Sequence, residues 1–156
     1  MSKVSNTPYS ALEVGQQARF SKTIEERDLL LFAVVSGDRN PVHLDAEFAS
    51  RTAFKERIAH GMLSGALISA AIATELPGPG SIYLGQQLSF SRPARLGDTL
   101  TVELEVLEKL PKFRVRIATR VFNQHGEALV DGEAEVLAPR KAEEVELPVL
   151  PEVRIG

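Results

Sequence analysis

HGMLSGALISAAIATELPGPG, residues 60–80, is the long, mostly small and apolar run in the first half of the chain that reads most clearly as a helix. From Gly61 to Leu76 small and apolar residues occupy every side of a helical wheel, and Pro77 and Gly78 end the run. A helix apolar all round is a buried helix. At ~1.5 Å per residue it spans about 24 Å. Gly65, Ala66, Ser69, Ala70, Ala71 and Ala73 leave room for neighbouring backbone to pack closely. The run is shorter than the roughly 20 residues a bilayer span requires, and Ser64, Ser69, Thr74 and Glu75 interrupt it. It is therefore read as the core helix of a soluble domain, not a membrane segment.

Downstream, the pattern changes to period two. In TLTVELEV (99–106), Leu100, Val102, Leu104 and Val106 share one face and Thr101, Glu103 and Glu105 the other. RVRIATRV (114–121) sets Val115, Ile117 and Val121 against Arg114, Arg116 and Arg120. EALVDGEAEV (127–136) sets Ala128, Val130, Ala134 and Val136 against Asp131, Glu133 and Glu135. Such alternation specifies half-buried antiparallel sheet. NQHG (123–126) is a tight-turn sequence. A hairpin about it predicts Arg116 opposite Glu133 and Arg114 opposite Glu135, with Glu103 and Glu105 facing the same arginines. Cross-strand charges of this kind form a solvated face and help set register.

SIYLGQQLSFSRP (81–93) predicts a further strand, and ARFSKTI (18–24) a short one. EERDLLLFAVVSG (25–37) has an acidic first turn and a closing glycine, which predicts a helix of about three turns. DAEFASRT (45–52) predicts a short helix capped by Asp45. The expectation is a single α+β domain over residues 1–156, a long buried helix wrapped by a curved antiparallel sheet of about five strands. Residues 139–156, acidic and proline-bearing, form an extended C-terminal tail.

Composition narrows the function. A chain of 156 residues supports one substantial core. A net charge of −3 argues against a nucleic-acid binder. There is no cysteine, so disulfides and thiolate metal sites are excluded and a reducing, cytoplasmic setting fits.

Between the two predicted upstream helices lies SGDRNPVHLD (36–45), which gathers Asp38, Asn40 and His43 in a chain with three histidines. Asp38 and His43 are five apart across Pro41, so they cannot share a helix face, but a turn can bring both to one point. Pro41 drives Asn40 toward extended backbone, which favours that turn. Carboxylate and imidazole are the common general acid–base groups. The plainer reading is an Asx turn in which Asp38 bonds to backbone. Gly61 opens the buried helix, where N–H groups lack intrahelical partners and sit at the positive end of the dipole. A glycine there lets an oxygen of a ligand approach closely. Ser64, one turn further, and Leu67 and Ile72 are candidate linings of an apolar pocket. His60 reads as structural and His125, in the turn, as exposed. A metal site from Asp38, His43, Asp45 and His60 is conceivable by donor type, but no helical ligand pair supports one. No phosphate-binding loop of the GxxxxGK[ST] or GxGxxG kind is present.

Three stretches together carry a resemblance: SGDRNPVHLD (36–45), FKERIAHGMLSGAL (54–67) and RPARLGDTLTVELEV (92–106). In that order they resemble the MaoC-like, (R)-specific enoyl-CoA hydratases, particularly the bacterial PhaJ type, over residues 10–138. The resemblance implies a hot-dog fold and a homodimer with sheets joined side by side. It implies addition of water to a trans-2-enoyl-CoA, giving the (R)-3-hydroxyacyl-CoA for polyhydroxyalkanoate synthesis, with no cofactor and no metal beyond the coenzyme A of the substrate. It also implies that Asp38 and His43 hold the reacting water, that Asn40 orients them and that the Gly61 N–H serves the thioester oxygen. Hot-dog thioesterases, carrier-protein dehydratases and non-catalytic acyl-CoA binding modules remain as alternatives. A thioesterase more typically uses an acid on the central helix, where only Glu75 at the far end is available.

Overall fold

The computed structural model describes residues 2–156. Its elements run β1 (Lys3–Ser5), a 3₁₀ turn (Tyr9–Ala11), β2 (Gln17–Thr23), α1 (Glu26–Ser36), α2 (Pro41–Leu44), α3 (Ala46–Ser50), α4 (Gly61–Thr74), β3 (Ile82–Phe90), β4 (Thr99–Lys109), β5 (Arg114–Phe122), β6 (Ala128–Leu137) and β7 (Glu144–Glu146). Five strands form one antiparallel sheet in the order β2-β4-β5-β6-β3. β1 and β7 pair separately and tie the two ends of the chain together. The sheet curls around α4, which touches β2, β3, β4 and β5. This is the α+β, hot-dog arrangement expected. Among the described residues, no helix is long and apolar enough to cross a membrane.

The period-two pattern explains the core. Leu100, Val102, Leu104 and Val106 of β4 and Val115, Ile117 and Val121 of β5 are all essentially buried, packed on Leu63, Leu67, Ile68, Ala71 and Ile72 of α4. Each such side chain contributes roughly 1.5–3 kcal/mol by leaving water.

The β5–β6 hairpin turns at 123–126, where Asn123 and Gly126 bond across the turn. Its register differs from expectation by two residues: Arg114 lies opposite Leu137, Arg116 opposite Glu135 and Arg120 opposite Asp131. The turn accounts for one residue of this, since Asn123 pairs with Glu127, and a bulge between Val121 and Phe122 adds the other. It also turns Ala128 outward and buries Leu129 instead, because a one-residue irregularity exchanges the faces of a strand. The expected ion pairs form nonetheless, on the diagonal: Arg114–Glu135 and Arg116–Glu133 are each 2.8 Å. Glu103 and Glu105 do not serve those arginines. Glu103 pairs with Arg19 at 2.9 Å, Glu105 bonds Gln17, and Glu108 takes the place beside Arg116. These partly exposed pairs read as a solvated face.

Helix α4 departs from the all-round burial its composition predicts. One face enters the core, while Met62, Ala66, Ser69 and Ala73 face out. Beside that face runs β3, an edge strand with Ile82, Leu84 and Phe90 about half exposed. β3 also crosses close to β6, since a Cβ at Gly132 would overlap the Gln87 carbonyl. Residues 147–156 extend beyond β7 without regular structure.

Candidate active site

Gly37 ends α1 in the left-handed region, φ 80°, with its N–H on the Ala33 carbonyl. The chain therefore reverses directly into Asp38. Ser36 Oγ accepts the Asp38 N–H at 3.1 Å, and Asp38 Oδ1 accepts the Asn40 N–H at 3.1 Å. Asn40 in turn caps α2, its side chain accepting the Val42 N–H, and Pro41 occupies the first helical position. The Asx turn is real, but it uses only one carboxylate oxygen. The other, Oδ2, lies 3.9 Å from His43 Nε2.

His43 is buried on α2, and its Nδ1 lies 2.8 Å from the Ile58 carbonyl. A carbonyl only accepts, so Nδ1 carries a proton, and Nε2 is the ring atom turned toward Asp38. Arg57 fixes the same turn, donating from Nε to the His43 carbonyl at 2.8 Å and from a terminal nitrogen to Glu26. The gap of 3.9 Å exceeds a hydrogen bond. It suits two acceptors that each take one hydrogen of the same water.

His60 immediately precedes α4 and is buried, with its Nε2 on the Asp38 carbonyl at 3.2 Å. Its ring stacks on that of His43, centroids 3.9 Å apart, and Phe32 covers it from another side at 4.9 Å. Burial pushes the His60 pKa below its ordinary value of 6.5, outweighing the backbone bond to Asp38; His43 adds to the lowering. The unfolded chain takes up a proton on this ring at higher pH than the native protein does. The stability from burying it neutral is complete above about pH 6.5 and declines as pH falls toward the lowered native value. Urea unfolding across acidic pH should show this decline in the wild type and a flatter one in His60→Phe.

Gly61 begins α4, which has no side-chain cap. A cleft of about 310 Å³ opens at this helix start. His43, His60, Gly61 and Ser64 form its polar side, and Ile58, Phe90, Ala94 and Val130 are among its apolar walls. Phe90 packs so closely that a Cβ on Gly61 would lie 3.3 Å from its ring. Of the candidate residues, His43, Gly61 and Ser64 line the cleft, Asp38 lies beside it against His43, and Asn40 is the cap behind them. Leu67 and Ile72 belong to the hydrophobic core and do not line the cleft, because both lie on the face of α4 turned into the curl of the sheet. His125 is exposed, and Asp45 caps α3 away from the cluster.

Donor atoms of Asp38, His43 and His60 lie within 4.8 Å of one another. The two imidazoles are stacked on each other at 27°, and His60 Nε2 is engaged by a carbonyl. The geometry favours acid–base chemistry. Sequence reading missed the His43–His60–Phe32 stack, the Arg57 anchor and the wall from Phe90, Ala94 and Val130. Only the HG pair at 60–61 gave any signal for the stack.

A family profile for the MaoC-like domain matches residues 10–127. The solved R-hydratase PhaJ1 from Pseudomonas aeruginosa is 70% identical, superposes with a TM-score of 0.97, and covers 99% of this chain and 100% of its own. The (R)-specific enoyl-CoA hydratase of Aeromonas caviae is 48% identical over 130 residues, 83% of this chain and 97% of that protein. A 3-hydroxybutyryl-CoA dehydratase from Methylorubrum extorquens is 44% identical over 135 residues, 86% of each chain. The chain belongs to the MaoC-like family, within which these relatives are (R)-hydratases and dehydratases of acyl-CoA thioesters.

Proposed function

We propose that this protein is an (R)-specific enoyl-CoA hydratase, a hydro-lyase that adds water to trans-2-enoyl-CoA to give (R)-3-hydroxyacyl-CoA. The observation that carries the reading is the pairing of two acceptors, Asp38 Oδ2 and His43 Nε2, at 3.9 Å beside an uncapped helix start. Water donating one hydrogen to each acceptor turns its lone pairs outward to the substrate. Asp38 or His43 removes a proton as the oxygen bonds to the β-carbon. The electron pair moves through the double bond onto the thioester oxygen, which the Gly61 N–H and the helix dipole stabilise. The acid–base pair then returns a proton to the α-carbon. Asn40 holds this pair through the Asx turn and the α2 cap. The steps need no cofactor. The acyl chain runs along Phe90, Ala94 and Val130, with Ser64 at its base.

Mixing the protein with crotonyl-CoA tests the reading: the enoyl absorbance should fall with no release of free thiol. Thiol release without hydration would favour a thioesterase, and a strong preference for carrier-protein thioesters a fatty-acid dehydratase. The Aeromonas caviae hydratase is described as involved in PHA biosynthesis, and supply of (R)-3-hydroxyacyl-CoA to that polymer in the cytoplasm completes the proposal.

The reading includes a homodimer. β3 leaves one edge unpaired, with apolar Ile82, Leu84 and Phe90 exposed beside the small-residue face of α4. Such an edge is a template for another strand, and a second copy joined about a two-fold axis covers both features at once. Sedimentation should give twice the chain mass for the wild type. Leu84→Lys, which places like charges in that seam, should give monomer. A monomeric wild type would remove the dimer from the account.

A further inference from the structure

We infer that His60 is a positioning residue of this site, one ring that holds Asp38, His43 and the start of α4 in register. The inference rests on the hydratase reading and assigns within it a role to a side chain that takes no part in the chemical steps.

Asp38 needs such support. Its side chain is 47% exposed and it sits on a turn between two helices. Inside the turn, its backbone N–H and carboxylate are held only by neighbours at most two residues away. The one long-range bond to it comes from His60 Nε2, across 22 residues, onto its carbonyl. That bond ties the half-exposed acid to the most buried polar ring of the cleft.

The same ring is the floor under His43. The Ile58 carbonyl fixes one edge of the His43 imidazole, but a single hydrogen bond leaves it free to tilt. The His60 face, 3.9 Å away and 27° from parallel, removes that freedom, and Phe32 backs His60 in turn. Finally, His60 is the residue before Gly61, so any shift of the ring shifts the first N–H groups of α4.

The tautomer follows from the bonding. Nε2 faces a carbonyl and must carry the proton. Nδ1 is then a bare acceptor, and it is buried without a hydrogen-bond partner. An unsatisfied buried nitrogen is a cost to folding. A residue selected for packing alone would be better replaced by phenylalanine, which keeps the stack and removes the orphan. That contrast separates positioning from structure.

Four proteins test the inference with crotonyl-CoA: wild type, His60→Ala, His60→Phe and His60→Gln. Displacing catalytic groups by about an ångström costs on the order of 10²-fold in rate. His60→Ala should lose about that much kcat with KM changed little. His60→Phe should match or exceed the wild-type melting temperature and still be slower in kcat, having lost the Asp38 tether. His60→Gln, whose amide can reach the same carbonyl, should recover part of the loss. The limbs of the pH–rate profile should stay where they are in the wild type. Wild-type kcat in His60→Phe, a loss that only follows the folded fraction, or disappearance of one pH limb would each overturn the positioning role. Histidine ring ¹⁵N spectra of the wild type supply a readout independent of activity. They should show His60 neutral and protonated on Nε2 through neutral pH, and an Nδ1-protonated or charged ring would overturn the inference even if crotonyl-CoA were not a substrate.

Discussion

Asp38→Asn should reduce kcat for enoyl-CoA hydration by about 10²–10⁴-fold while the protein folds as before. The substitution is nearly isosteric. Asparagine keeps an oxygen to accept the Asn40 N–H, so the Asx turn that shapes 38–40 survives. No fully buried ion pair is broken, since the Asp38 side chain is about half exposed and sits 3.9 Å from His43 Nε2. What is lost is chemical: an amide cannot accept the proton that leaves water. The amide nitrogen also turns a donor toward His43 Nε2, where the two-acceptor cradle requires an acceptor. Steady-state kinetics beside a thermal melt checks both halves. Activity within a few-fold of wild type at unchanged stability would mean that Asp38 serves the turn and nothing more.

Gly61→Pro is the second large effect, and it isolates a single N–H. Proline is tolerated at the first position of a helix because the missing N–H has no intrahelical partner there. The preceding residue must be extended, and His60 already is, at φ −57° and ψ 135°. The helix should therefore start as before, while the donor proposed for the thioester oxygen is gone. Loss of one such donor typically costs about 10²–10³-fold in kcat. Gly61→Ala is the control for bulk. It keeps the N–H but places a Cβ 3.3 Å from the Phe90 ring, a crowding that the ring can relieve by a small shift. The account expects the proline variant to be much the slower of the two at similar melting temperatures. Equal activities would assign the effect of Gly61 to space alone.

Much of this was legible in the sequence, for identifiable reasons. Burial with period two is written directly in Leu100, Val102, Leu104 and Val106, and the structure buries all four. Gly37 and Asp45 act as the helix punctuation they resemble. The hairpin register was not legible, because the bulge at Val121–Phe122 has no residue signature and, with the Asn123–Glu127 pairing at the turn, shifts the register by two while leaving the charge partners within diagonal reach. The composition of α4 misled in one respect. Alanine and serine fit a buried face and an exposed one equally well, so Ala66, Ser69 and Ala73 gave no warning that they face outward.

The site divides in the same way. SGDRNPVHLD marks its candidate acid–base pair, and HG marks the start of the helix. The group that sets the His43 tautomer is the Ile58 carbonyl, a backbone atom that no residue type announces. The pocket wall comes from β3, the segment after it and β6, which only tertiary folding brings to Gly61. Leu67 and Ile72 are apolar residues of the helix that opens on the pocket, but the angle around the helix decides which side chains line it, and both of these point into the core.

One measurement tests the central claim most directly: the configuration and oxygen source of the product formed from crotonyl-CoA in ¹⁸O-labelled water. The account predicts (R)-3-hydroxybutyryl-CoA carrying the label in its 3-hydroxyl, with the thioester intact. An (S) or racemic product, or label appearing in a released carboxylate, would contradict it.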